Sequence, residues 1–204
     1  MRAAIVSIAV ALAMAACTQT GVSNLKPQKA AIDPIPGRLT FQLAGNTETL
    51  TGEMQSQGGC PTHTLNYDVR DNFEKAMAGT VGQRFSVGPN RYDVTVHINR
   101  FAATYEHTNQ LGNAIFGLFA GLPEFKVATT LDTVVTVRSP YGVVTQPISA
   151  RGLITADTFY GCANITDEFL AQAMDKLFID YVGAFDRAVV TPLRHRQVTS
   201  FNRY

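Results

Sequence analysis

Four histidines and three cysteines are the side chains of this 204-residue chain best suited to acid–base, nucleophilic or metal chemistry. His63, His97, His107 and His195 are scattered. None stands three or four residues from another histidine, cysteine or aspartate on a helix, so a zinc site has no local signature. His97 falls beside Thr95 on the polar side of an alternating stretch and reads as a solvated strand residue. His195 lies between Arg194 and Arg196, as in a surface charge cluster. Neither a G-x-S-x-G nucleophile turn nor a glycine-rich phosphate loop ending in Lys-Ser or Lys-Thr occurs. Asp167 with Glu168, and Asp175 with Asp180, read as helix acids placed by the helix dipole and by solvation. The expectation is a protein without catalytic residues, cofactor or metal.

The cysteines suggest different chemistry. The chain opens MRAAIVSIAVALAMAAC, in which Arg2 precedes an apolar run ending in small residues. That is the layout of a secretory signal, and the run is shorter than the roughly 20 apolar residues a membrane span needs. Ala13-Met14-Ala15 and Ala11-Leu12-Ala13 both fit ordinary small-x-small cleavage. Met14-Ala15-Ala16-Cys17 is similar to the bacterial lipobox, with Met14 where that pattern usually has leucine. The likeness implies that Cys17 becomes the lipidated first residue, carrying palmitate. Thr18, not aspartate, follows it, which by the same likeness points to the outer membrane. The alternative is plain secretion with Cys17 near a cleaved end. An odd cysteine count in an exported chain leaves one residue to explain. With Cys17 acylated, Cys60 and Cys162 can pair in an oxidising compartment. They close a loop of roughly 100 residues, worth up to about 4.7 kcal/mol in the chain-entropy account. The alternative is two independent buried thiols.

The stretch NQLGNAIFGLFAGLPEF, residues 109–125, carries no charge from Asn109 through Pro123. Leu111, Ile115, Phe116, Leu118, Phe119 and Leu122 are its apolar side chains, interrupted by glycines that cost about 1 kcal/mol each inside a helix. Three readings follow: a buried connection completing the core, an exposed loop whose phenylalanines seat in a partner protein, or a contact with lipid. Phe116 points off the face shared by Ile115 and Phe119. An exposed apolar stretch of this size marks a contact surface, and we take these six residues as the expected partner-binding set.

These residues must be held by ordinary elements. Leu39, Phe41 and Leu43 alternate with polar neighbours, as in a half-buried strand. Leu65, Val69, Phe73, Met77 and Val81 fall four apart, one stripe of a helix of about 15 residues that Gly79 or Gly82 should end. Val94, Val96 and Ile98 alternate, and after Asn99 the phase flips to Phe101, Ala103 and Tyr105, the mark of a β-bulge. Val127, Leu131, Val135 and Val137 share one strand face, SPYG at 139–142 reads as a turn, and a further strand follows that Pro147 should interrupt. Leu170, Ala173, Met174, Leu177, Tyr181, Ala184, Phe185 and Ala188 form a long helical stripe, with Pro192 expected to end it. The pattern predicts a two-layer α+β fold, an antiparallel sheet packed against two amphipathic helices. The expected organisation is a signal peptide over 1–16, a lipid-anchored flexible linker over 17–37, one domain over 38–191 and a basic tail over 192–204.

A net charge of +1 and 46% apolar content argue against a nucleic-acid binder and against wholesale disorder. The lipobox-like end, the linker and the order strand–helix–strands–helix resemble the small outer-membrane lipoproteins of Gram-negative bacteria. In outline the chain is similar to ABC-type transport auxiliary and lipopolysaccharide-assembly lipoproteins. The resemblance implies a non-enzymatic docking or accessory module of the cell envelope. Such a module faces the periplasm, is held to the membrane by its lipid, and has an envelope protein as partner. The alternative is a soluble periplasmic enzyme or small-ligand-binding protein.

Overall fold

The structure is a computed structural model and describes residues 24–30, 33–57, 60–107, 124–157 and 165–201. Among them six strands form one sheet: β1 (Ile35–Gly45), β2 (Glu53–Gln57), β3 (His63–Thr64), β4 (Phe85–His107), β5 (Glu124–Ser139) and β6 (Gly142–Asp157). The helices are α1 (Val69–Gly82), α2 (Asp167–Phe185) and α3 (Thr191–Phe201), the last two joined by a π turn over Asp186–Val190. The two-layer α+β architecture is the expected one. The sheet is mixed, however, not antiparallel throughout. β4–β5 and β5–β6 are antiparallel, whereas β1 and β2 both run parallel to β4 along its other edge.

The centre of the sheet follows from a strict period of two. Tyr92, Val94, Val96 and Ile98 point inward, and the β4–β5 register shifts between Ile98 and Arg100. The bulge at Asn99 hands the inward role to Phe101, Ala103 and Tyr105, as the phase flip predicts. The same height is a gap on the opposite edge. β1 leaves β4 at Gly45, opposite Ile98, and β2 rejoins it at Met54, opposite Ala103. The Asn46 side-chain amide donates to the Asn99 carbonyl at 2.9 Å and bridges the irregularity.

Along β5 the inward positions include Thr129 and Thr133, which are buried but not orphaned. Thr129 Oγ1 donates to the Ala173 carbonyl at 3.2 Å. Thr133 Oγ1 donates to the Ile148 carbonyl at 3.2 Å and lies 3.0 Å from the Tyr181 hydroxyl. Burial pushes the Tyr181 phenol above its ordinary range. β6 runs unbroken through Pro147. The N–H of Arg151 points off the free edge to Asp180 at 3.2 Å, and Pro147 shares its parity. Its missing donor therefore costs no ladder bond. Lys176 Nζ donates to the Leu153 carbonyl at 3.1 Å, so two side chains one turn apart on α2 cover part of this edge.

The helices cover one face of the sheet. Asp68 caps α1 by accepting from the Asp71 N–H at 2.8 Å, which starts the helix at Val69. Leu65, expected at its head, lies outside it and donates its N–H to the Gly52 carbonyl at 3.0 Å. Phe73 meets Phe178 and Tyr181 edge-on at ring separations of 5.9 and 5.7 Å, locking α1 to α2. Pro192 does not end the helical path. A proline removes one N–H and crowds the carbonyl four residues back. The chain widens into the π turn directly before it and continues as α3, with Leu193 and Gln197 buried.

Candidate functional site

The face of the sheet away from the helices is exposed and polar. The strand registers set its residues in rows. Thr40, Asp93, Arg138 and the exposed Val143 form one row, Gln42, Thr95, Thr136 and Thr145 the next, and Ala44, His97, Val134 and Pro147 the third. The β1, β4 and β5 members of the first two rows, with His97 and Val134, line a groove of about 720 Å³ with Arg91 at its rim. Thr136 and Thr145 hydroxyls lie 3.3 Å apart. Arg91 Nε donates to Asp93 Oδ1 at 3.0 Å. That bond, helped by the Thr40 hydroxyl and the nearby Arg138 charge, holds the Asp93 carboxyl below its usual range despite some desolvation. An exposed pair of this kind adds little to stability, so Arg91 can exchange Asp93 for another anion cheaply. His97 sits on this polar face, as its alternation predicts.

The other described histidine rings lie elsewhere. His63 on β3 packs edge-on against Tyr105 at 5.7 Å, with its Nε2 buried and without a partner. His195 is an exposed residue of α3. Among the described residues no cluster of three histidine, cysteine or acidic side chains is arranged to hold a metal. Of the expected site residues, Cys60 is half-buried against the core. Cys17, Cys162, Leu111, Ile115, Phe116, Leu118, Phe119 and Leu122 lie outside the described residues. The boundaries of the apolar stretch are described: His107 and Phe125 are register partners at the end of the β4–β5 ladder. Phe125 is buried and packs on Tyr105 and Phe169 at 5.9 and 5.3 Å, so the last residue of the stretch belongs to the core.

No known protein family matches the chain, and no curated protein matches it in sequence. Among solved structures, protein XCC0632 from Xanthomonas campestris, of the DUF330 family, is similar over 85% of this chain and 96% of its own. The TM-score is 0.49 and the identity 12%. A structure described as an uncharacterized protein is similar over 81% of this chain and 98% of its own, with a TM-score of 0.38 and 8% identity. Neither likeness bears on function. Among the described residues no helix is long and apolar enough to cross a membrane.

Sequence reasoning missed a polar cluster at the start of β4. Arg84, between α1 and β4, is 1% exposed. Its guanidinium donates to Asp186 through Nε at 2.5 Å and Nη2 at 2.6 Å. Nη1 donates to the carbonyls of Gln28 and Thr80 at 2.9 and 2.8 Å. Residues 24–30, expected as linker, are tied down here. Leu25 is buried, and the Gln28 N–H donates to Thr80 Oγ1 at 2.9 Å. Burial holds the Asp175 carboxyl of α2 above its usual range, while the Lys26 charge pulls it the other way. The segment thus lies along α1 with a charge facing α2. The one trace in the sequence is Arg84 itself, a charge between the stripe of α1 and the apolar Phe85, and that pattern fits a solvated junction equally well.

Proposed function

We propose that this chain is a cell-envelope lipoprotein, acylated at Cys17 and facing the periplasm. It acts as a non-catalytic docking or accessory module for an envelope assembly. The observation that carries the docking role is the pairing of His107 with Phe125. It puts His107 and Phe125, on either side of the uncharged residues 109–123, side by side at one end of the sheet. In this reading Leu111, Ile115, Phe116, Leu118, Phe119 and Leu122 meet an envelope protein, with lipid as the other apolar surface such residues could meet. A Cys60–Cys162 bridge belongs to the same proposal. It is supported by the oxidising compartment that the leader implies and by the odd cysteine count, which leaves these two to pair once Cys17 is acylated.

The tether is tested by palmitate labelling in a Gram-negative host. The wild-type chain is expected to take up label and fractionate with membranes, and Cys17→Ala to do neither. An unlabelled, freely soluble wild type would sink the tether. The docking role is tested by Phe116→Asp combined with Phe119→Asp. Melting is expected to change by less than about 2 °C, as for surface positions, while co-purification of a membrane partner in mild detergent is lost. A drop of many degrees would assign these residues to the core.

A further inference from the structure

The groove on the outer face of the sheet carries chemistry that the docking reading does not use. Thr40, Gln42, Thr95 and Thr136 lie on adjacent strands and offer hydroxyls and an amide at strand spacing, each able to donate and accept. The apolar lining is limited to the small side chain of Val134, since Val94 points inward and offers only backbone here. Arg91 and Arg138 stand at one end, and Arg38 pairs in register with Arg91. Like charges directly opposite on neighbouring strands repel. Asp93 is the one carboxylate among these three guanidiniums. It bonds Arg91, and Arg138 forms no ion pair among the described residues. The end of the groove is therefore a surplus of guanidinium donors, the group suited to two-pronged recognition of carboxylate and phosphate.

We propose that this groove binds an anionic oligosaccharide, with sugar hydroxyls on Thr40, Gln42, Thr95 and Thr136 and the acidic group on Arg91 and Arg138. An excess of positive charge beside uncharged hydrogen-bonding groups matches a polyhydroxylated ligand bearing an acid. The volume lies within the roughly 300–1,000 Å³ of small-molecule clefts. An acyl chain would find no large apolar wall here. A single-stranded nucleic acid would find no aromatic ring to stack on. The groove lies at the Arg138 end of the β4–β5 ladder, opposite the His107–Phe125 end, so it is independent of the contact surface proposed above.

The test titrates the full-length purified chain with trigalacturonate, a hexose 1-phosphate, neutral maltotriose and phosphatidylglycerol vesicles. At least one acidic sugar is expected to bind, more weakly as salt rises, and maltotriose about tenfold more weakly or not at all. Which acidic sugar binds identifies the anion as carboxylate or phosphate. Arg91→Ala with Arg138→Ala should lower affinity at least about tenfold, as loss of charge-assisted bonds does, with the melting temperature unchanged because both side chains are exposed. Thr136→Val should weaken binding several-fold without touching any charge. The proposal is overturned if neither acidic sugar binds, or if binding survives loss of both arginines. Vesicle binding that depends on the two arginines in place of sugar binding also overturns it.

Discussion

Asp186→Ala is expected to destabilise the protein by about 3–5 kcal/mol, because it leaves the Arg84 guanidinium buried without its counter-charge. For a chain of this size that corresponds to a fall in melting temperature on the order of 10 °C. Arg84 is 1% exposed, so water cannot replace the lost carboxylate without opening the junction of α1, β4 and the π turn. The reverse change, Arg84→Ala, acts differently. Asp186 is 25% exposed and can rehydrate, but the Gln28 and Thr80 carbonyls lose their donor. Residues 24–30 should then loosen, and limited proteolysis should cut there before the body of the domain unfolds. A double change of Arg84→Met with Asp186→Leu removes both charges at similar volume and is expected to recover most of the loss. Thermal unfolding followed by circular dichroism checks all three. A melting temperature unchanged in Asp186→Ala would mean that this ion pair does not hold the junction.

That cluster also shows where sequence reading ends. Periodic patterns reported what neighbours in the chain do. The stripe through Phe73 and Met77, the slip at Asn99 and the stripe from Leu170 to Phe185 all describe one element seen against one buried side. Thr129 and Thr133 were harder, because a threonine in a strand looks the same whether its hydroxyl meets water or, as here, the Ala173 carbonyl and Tyr181. The parallel pairing of β1 with β4 joins residues some 50 positions apart and leaves no local trace. Pro147 and Pro192 look like breakers in the sequence because proline lacks a donor. Both positions are ones where that donor is dispensable or accommodated, an edge-facing site and the second residue of the helix that follows a widened turn.

The candidate site divides along the same line. That His97, Thr95 and Asp93 face solvent follows from alternation alone. That Thr40, Asp93 and Arg138 meet in one row depends on the registers of three strands, two of them parallel, and no local pattern carries that. The apolar residues from Leu111 to Leu122 were conspicuous because absence of charge is a composition signal, visible without any fold.

Gly152→Ala should be the most damaging single methyl addition in the sheet. Gly152 sits on β6 beneath α2, and a Cβ there would overlap the Ala173 carbonyl oxygen. It would also lie 2.7 Å from Thr129 Oγ1 and 2.8 Å from the Leu177 amide nitrogen. Two of these three obstacles are helix backbone and cannot rotate away, so α2 must rise off the sheet. Its rise would stretch the Thr129–Ala173 and Thr133–Tyr181 bonds and pull Asp180 and Lys176 from the β6 edge. Overpacking of about 1–3 kcal/mol and several lost bonds of about 1 kcal/mol each together give a loss on the order of 4 kcal/mol. The melting temperature should fall by about 10 °C. Freed β6 should add a second symptom, concentration-dependent association through its exposed edge. Gly82→Ala is the matched control, since a Cβ there meets nothing within 4 Å at the end of α1. It should be neutral or stabilise by up to about 1 kcal/mol through the unfolded chain. Equal melting temperatures for the two variants would mean that the seating of α2 on the sheet does not depend on its close approach to β6.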